Sequence, residues 1–257
     1  MKYHFQIIVS LCLLLVPCGM FAIGDMEKAE KAYRQKNYVE AANIYESTIS
    51  KTDDITTGLA DTYYNLGNCY FRMKNYGKAV LNYQRSLRID PSNDDARFNL
   101  ELTQTKLTDR FDRPTEMFFI SWIKGLIASQ NSNVWGYGGL ACMLAGFILC
   151  VLFMLSKRMW QRKVCFFTGL LSFLLLVVCE SFAYIQHNRF KHEQLGVVMG
   201  TAQTFDTPTP TAKKLSTLHE GTTVTIQSSF EKEWYQIELP DGTTTWIKKS
   251  DIDIVGL

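Results

Sequence analysis

The chain reads as a multi-domain membrane protein: an all-α array of helical hairpins, a two-helix transmembrane hairpin and a small all-β barrel. Three observations predict this. Residues 60–91, ADTYYNLGNCYFRMKNYGKAVLNYQRSLRIDP, carry small and aromatic residues at the spacing of a helix–turn–helix repeat. Residues 135–155 and 164–185 are apolar runs long enough for a bilayer core. From Gln194 onward, short β-rich pieces alternate with turn signals.

The amino end predicts a signal peptide over residues 1–22. Lys2 supplies the positive start and Phe5 to Val16 the apolar run; Pro17, Cys18, Gly19 and Ala22 form the small-residue exit, with cleavage after Ala22. Leu15-Val16-Pro17-Cys18 is a poor lipid-attachment site, because Pro17 sits where a small residue belongs. An uncleaved anchor gives the chain the same orientation. Cys12 and Cys18 lie in this segment, and Cys142, Cys150, Cys165 and Cys179 lie in apolar runs. Cys69 stands alone in the soluble regions and is expected to be a small buried residue.

Residues 25–108 predict a repeat array with a capping helix. The tetratricopeptide pattern W-x₂-L-G-x₂-Y…A-x₃-F…P is met by Tyr63, Leu66-Gly67, Tyr70, Ala79, Tyr83 and Pro91. The aromatics fill the space between two helices, Gly67 and Ala79 let the helices approach, and Pro91 ends the second one. Asp25 to Lys51 is a degenerate first copy. Lys36–Ala41 parallels Lys74–Ala79, and Tyr45 parallels Tyr83, an offset of 79 − 41 = 38 residues. The surplus over the usual repeat length falls in a loop, Ser50 to Gly58. Ala96, Phe98, Leu100, Leu102 and Leu107 give the pattern of a cap.

Residues 114–130 predict an aromatic-rich linker helix. Met117, Phe118, Phe119, Trp122, Ile123, Leu126 and Ile127 recur at helical spacing, as in a helix lying at a lipid interface. A helix packed on the repeats is the other reading. The first span, 135–155, opens with the interfacial aromatics Trp135 and Tyr137. Lys157, Arg158, Arg162 and Lys163 crowd the loop 156–163, and the second span follows at 164–185. Glu180 is expected to reach the interface from near its far end. The basic loop should be cytoplasmic. Arg189 and Lys191 argue weakly the other way, and the amino-terminal signal decides. Both soluble parts then face the periplasm, with the chain in a bacterial inner membrane.

Residues 194–257 form the β-rich tail. Gly196–Met199, Thr222–Ser228, Trp234–Leu239, Thr244–Ile247 and the pair Ile252, Ile254 read as strands; Phe205–Lys214 reads as a loop and Asp241-Gly242 as a tight turn. The tail resembles bacterial SH3-like domains. Val197-Val198, Glu220-Gly221-Thr222 before Val224 and Ile226, Trp234-Tyr235, Asp241-Gly242 and Trp246-Ile247 carry the likeness. Thr245 departs from it, standing where that family usually has glycine.

The functional reading is recognition. A net charge of +2 leaves no electrostatic footprint for nucleic acid. His4 lies in the signal, His187 and His192 follow the second span, and His219 lies in the tail; none pairs with cysteine or carboxylate at triad or metal-ligand spacing. No phosphate-binding or hydrolase motif is present, so no enzyme, cofactor or metal is expected. The concave face of the array offers Tyr64, Asn68, Phe71 and Arg72, with Asn99 of the cap at an equivalent height. The likeness to peptide-binding tetratricopeptide proteins implies that Asn68 and Asn99 grip a peptide backbone. Solvated or cap-bonded asparagines are the alternative. Met26 and Tyr64 take the places of that family's clamp lysines, so no carboxylate clamp is expected. In the tail, Trp234 and Trp246 either line a ligand groove or fill the core.

The order of parts resembles the BatE family of the Bacteroides aerotolerance operon. Tyr63 to Tyr70, Phe118-Phe119…Trp122 and Trp246-Ile247 carry that likeness. It implies partners: membrane proteins with von Willebrand factor A domains and a cytoplasmic MoxR-type ATPase, in oxidative-stress tolerance or envelope integrity. The function expected is a non-enzymatic inner-membrane scaffold. A tether whose SH3-like domain binds peptidoglycan is the alternative.

Overall fold

The structure is a computed structural model that describes residues 19–51, 57–111, 117–209 and 211–256. The expected signal peptide falls outside these residues up to position 18, and the expected Ser50–Gly58 loop does so over 52–56.

Two helical hairpins and a cap come first: α1 Gly19–Arg34 with α2 Tyr38–Ser50, α3 Thr57–Arg72 with α4 Tyr76–Ile89, and α5 Asp94–Gln104. The two hairpin turns are built alike. Lys36 and Lys74 adopt left-handed backbone, φ 63° and 61°. Asn37 N–H then reaches back to Ala32 O at 2.9 Å, and Asn75 N–H to Tyr70 O at 2.9 Å, which satisfies carbonyls left free at the helix ends. The same asparagines cap the next helices, their side chains accepting from Glu40 N and Lys78 N. The degenerate first copy therefore folds as the second does. Ala29, Ala41, Cys69, Ala79 and Tyr83 are fully buried between the hairpins. Gly67 is required there: a Cβ on it would lie 2.7 Å from two Tyr83 ring carbons.

Helix α6, Phe118–Ala128, follows, with Phe118 84 % and Trp122 61 % exposed. Ile127 is its buried residue, and Trp135 Nε1 donates to the Ile127 carbonyl at 3.4 Å. Helices α7 Ser132–Leu155 and α8 Met159–His192 are long and apolar enough to cross a membrane, and only 6 % of each apolar window is buried. They form an antiparallel pair. Gly138 meets Cys179, Gly146 meets Ser172, and Ser172 Oγ donates to the Cys142 carbonyl at 2.7 Å. The Glu180 carboxylate rests on Gly139 of the facing helix, so it does not simply extend along its own helix toward the interface. The second helix is longer than its apolar run. It starts at Met159, which shortens the expected basic loop and takes Arg162 and Lys163 into the helix, and it continues past Ile185 to His192.

The tail is one seven-stranded antiparallel open sheet, in the order β3-β2-β6-β5-β4-β1-β7. The strands are β1 Gln194–Val198, β2 Ala202–Phe205, β3 Lys214–Leu218, β4 Thr223–Phe230, β5 Trp234–Glu238, β6 Thr244–Lys248 and β7 Ile252–Ile254. A small barrel was expected; here β3 pairs only with β2 and β7 only with β1 among the described residues, so the sheet is open. Strands β2 and β3 flank the expected 205–214 loop. Val198, Leu218, Val224, Ile237 and Ile247 are its core.

The sheet is docked on the repeats. Val197 and Val255 join the same buried cluster as Ala79, Val80 and Tyr83. Arg85 of α4 donates to the Ile254 carbonyl at 3.0 Å. Arg88 donates to the Glu193 and Phe190 carbonyls at 2.9 and 2.7 Å, capping the carboxyl end of α8. Repeats and sheet therefore meet at the same end of the apolar hairpin.

Candidate functional site

The first helices of the hairpins and the cap enclose a groove of about 320 Å³, lined by Tyr33, Tyr64, Asn68, Phe71, Arg72, Asn99 and Leu102. All five residues expected on the concave face are brought together there. Tyr33 and Leu102 are additions. Tyr33 was hidden in the degenerate copy, although the 38-residue offset, applied to Phe71, points to it.

Helix α3 sets the groove because its buried face, Tyr63, Leu66, Gly67 and Tyr70, fixes which residues face the other way. Asn68 sits at the centre. Its Oδ1 accepts from Tyr83 Oη at 2.8 Å and from Asn99 Nδ2 at 2.8 Å. The asparagines are thus neither merely solvated nor cap-bonded; they bond to each other across the groove. Tyr83 is fully buried, and burial pushes its phenol well above the ordinary range, so it stays a neutral donor. The ring walls are Tyr64, whose centroid lies 6.2 Å from that of Tyr83, and Phe71, 5.9 Å from Tyr76. Arg72 Nε donates to Tyr33 Oη at 3.4 Å, and that bond raises the arginine's pKa further. Chemically the groove offers an amide donor, an amide acceptor, aromatic faces and one guanidinium.

The sheet gives a different outcome for its two tryptophans. Trp234 is 2 % exposed, with its ring edge-on to Phe205 at 5.2 Å. It is core and lines no groove, which corrects the expectation for that residue. Trp246 is half-buried and stacks edge-on with Phe230 at 6.1 Å, and Phe230 is itself 43 % exposed. Strand alternation explains the difference at β6: Thr245 and Ile247 point into the core, so Trp246 between them points out.

No carboxylate stands at triad or metal-ligand spacing from His219 in the sequence. The structure pairs it with Asp109, 110 residues away, Nδ1 to Oδ1 at 2.6 Å. The other oxygen of Asp109 accepts from His219 N at 2.7 Å and from Thr222 Oγ1 at 2.6 Å. The Thr222 hydroxyl donates its hydrogen bond to the carboxylate, so this arrangement ties the end of the cap to a sheet turn. Burial pushes the Asp109 carboxyl up, but the bonds from Thr222 and His219 outweigh it and leave the group below the usual range. Cys69 has its thiol pushed up to about 12 by burial, which keeps it protonated. Among the described residues, no three His, Cys, Asp or Glu side chains gather as a metal ion would need.

Comparison with known families matches residues 60–93 to the tetratricopeptide repeat. No curated protein matches the chain. The matched segment contains Tyr64, Asn68, Phe71 and Arg72, four of the groove residues.

Proposed function

We propose that this chain is a non-enzymatic adaptor of a bacterial inner membrane, whose repeat groove holds an extended segment of a protein partner on the periplasmic side. The Asn68–Asn99 pair carries this reading. With Asn68 Oδ1 and Asn99 Nδ2 committed to each other, Asn68 Nδ2 and Asn99 Oδ1 are the groups left over. That is one donor and one acceptor, the complement of a peptide C=O and N–H. Tyr64 and Phe71 supply apolar walls for the flanking side chains, and Arg72 favours an acidic one. The tetratricopeptide match supports protein partners as the ligand class.

The basic residues Lys157, Arg158, Arg162 and Lys163 at the turn of the α7–α8 pair support a cytoplasmic turn, which leaves both soluble parts outside. We read the open sheet as an SH3-like domain and the whole as a BatE-like component of an aerotolerance or envelope-stress complex. Its partners would be membrane proteins with von Willebrand factor A domains, working with a MoxR-type ATPase. Purification in mild detergent should retain those membrane proteins, and N68A/N99A should release them. Retention undiminished by N68A/N99A would sink the groove's role.

The half-exposed Trp246–Phe230 pair favours a second reading, a tether that binds peptidoglycan through the sheet. A sacculus pull-down separates the two. The adaptor reading predicts no retention, and the tether reading predicts retention lost in W246A.

A further inference from the structure

A second cavity, about 240 Å³, lies where α4, α5, the end of α6 and the end of α8 converge. Arg88, Arg97 and Arg189 line it with a single carboxylate, Glu193; with Asp94, which pairs with Arg97, three positive charges meet two negative ones and leave a net +1. Arg88 is spent on holding the end of α8. Arg97 bonds Asp94 and the Pro91 carbonyl. Arg189 gives only its Nε to Glu193, at 3.3 Å, and its side chain is 45 % exposed. A guanidinium carries five N–H donors, so Arg189 keeps its outer fork and Arg97 keeps part of its own. Beside them Gln186 Oε1 is buried with no hydrogen-bond partner, an acceptor that lacks a donor.

The position of this cavity decides what it can hold. Arg189 lies four residues beyond Ile185, where the apolar run of α8 ends. At about 1.5 Å per residue that is about 6 Å past the hydrocarbon edge, within the headgroup layer. Tyr184, and Trp135 with its ring 5.0 Å from that of Phe182, lie just inside that edge, and Ala128, from the carboxyl end of the exposed apolar helix α6, lines the cavity. We propose that this cavity binds the headgroup of an anionic phospholipid. The phosphate diester sits on the free N–H groups of Arg97 and Arg189, and a headgroup hydroxyl donates to Gln186 Oε1. A lipid held this way bridges the cap helix α5 and the membrane helix α8, and so fixes the repeats against the bilayer surface. The inference rests on α7 and α8 spanning a membrane.

The test uses the full chain in a mild detergent, incubated separately with phosphatidylglycerol and phosphatidylcholine and examined by native mass spectrometry. Wild type should retain phosphatidylglycerol at least about tenfold better than phosphatidylcholine, and R97Q/R189Q should lose about that factor. R189Q alone, at a half-exposed position where folding is not at stake, should lose part of it. Equal retention of the two lipids, or undiminished retention by R97Q/R189Q, overturns the site. Displacement of the lipid by millimolar inorganic phosphate assigns the cavity to a free anion and overturns the lipid. Carbonate extraction keeps the premise separate: release of the chain from membranes sinks the spanning reading, whereas an embedded chain without lipid preference sinks this site alone.

Discussion

Replacing Asp109 with alanine should undock the repeats from the sheet at one defined place. The carboxylate accepts three hydrogen bonds, two from His219 and one from Thr222, at 2.6–2.7 Å, and its side chain is only 12 % exposed. Leu107, two residues earlier, packs on Gly221, whose φ of 86° shapes the same turn. Alanine leaves the His219 amide and the Thr222 hydroxyl without their acceptor. A partly buried network of this kind costs about 3 kcal/mol when one member is removed, or about 150-fold in the opening equilibrium. Hydrogen exchange on the full chain in detergent reads it directly: the His219 and Thr222 amides should lose about two orders of magnitude of protection while α3 amides keep theirs. Wild type should lose part of this protection in acid. The folded pKa of Asp109 lies below its unfolded value of about 3.9, so its contribution is complete above that pH and disappears as pH falls through the folded value. Asp109→Asn, which keeps an acceptor without the charge, should fall between the two. Protection within about twofold of wild type in D109A, or no acid step at these amides, would refute the reasoning.

Further predictions concern stability. Gly67→Ala should lower it by about 1–3 kcal/mol, because the new methyl collides with the Tyr83 ring that supports Asn68; an unchanged thermal midpoint would contradict the packing described. Lys74→Gly should raise it by about 1 kcal/mol in urea unfolding, since glycine adopts the φ of 61° without the cost a side chain incurs. Trp234→Ala should cost about 3–5 kcal/mol and Trp246→Ala clearly less; equal losses would mean that both rings are core.

The repeat was readable because its determinants are local. Tyr63, Gly67, Ala79 and Tyr83 meet within one helical hairpin, and their spacing is the contact map. The apolar runs of α7 and α8 were readable for a similar reason, since length and composition alone mark them. What could not be read depends on distant partners. Asp109 and His219 lie 110 residues apart, and neither has a neighbour that announces the other. The extension of α8 to His192 follows a polar stretch with no helical stripe of its own, and it is held by Arg88 from another domain. Strands β2 and β3 escaped notice because they are short and, in β3, mostly exposed, so no alternation builds up. The outward turn of Trp246 is legible in the sequence: Ile247 is core, so strand parity puts Trp246 on the other face.

Photo-cross-linking from inside the groove between Asn68 and Asn99 reads whether it holds a partner's extended segment. A benzophenone amino acid is placed at Phe71, on the groove wall, and at Lys78 on α4 as a control, in the full chain in native membranes. Phe71 should give adducts with a small set of membrane proteins, absent from Lys78 and strongly reduced by N68A/N99A. No adducts from Phe71, or the same adducts from both positions, would contradict the groove's role.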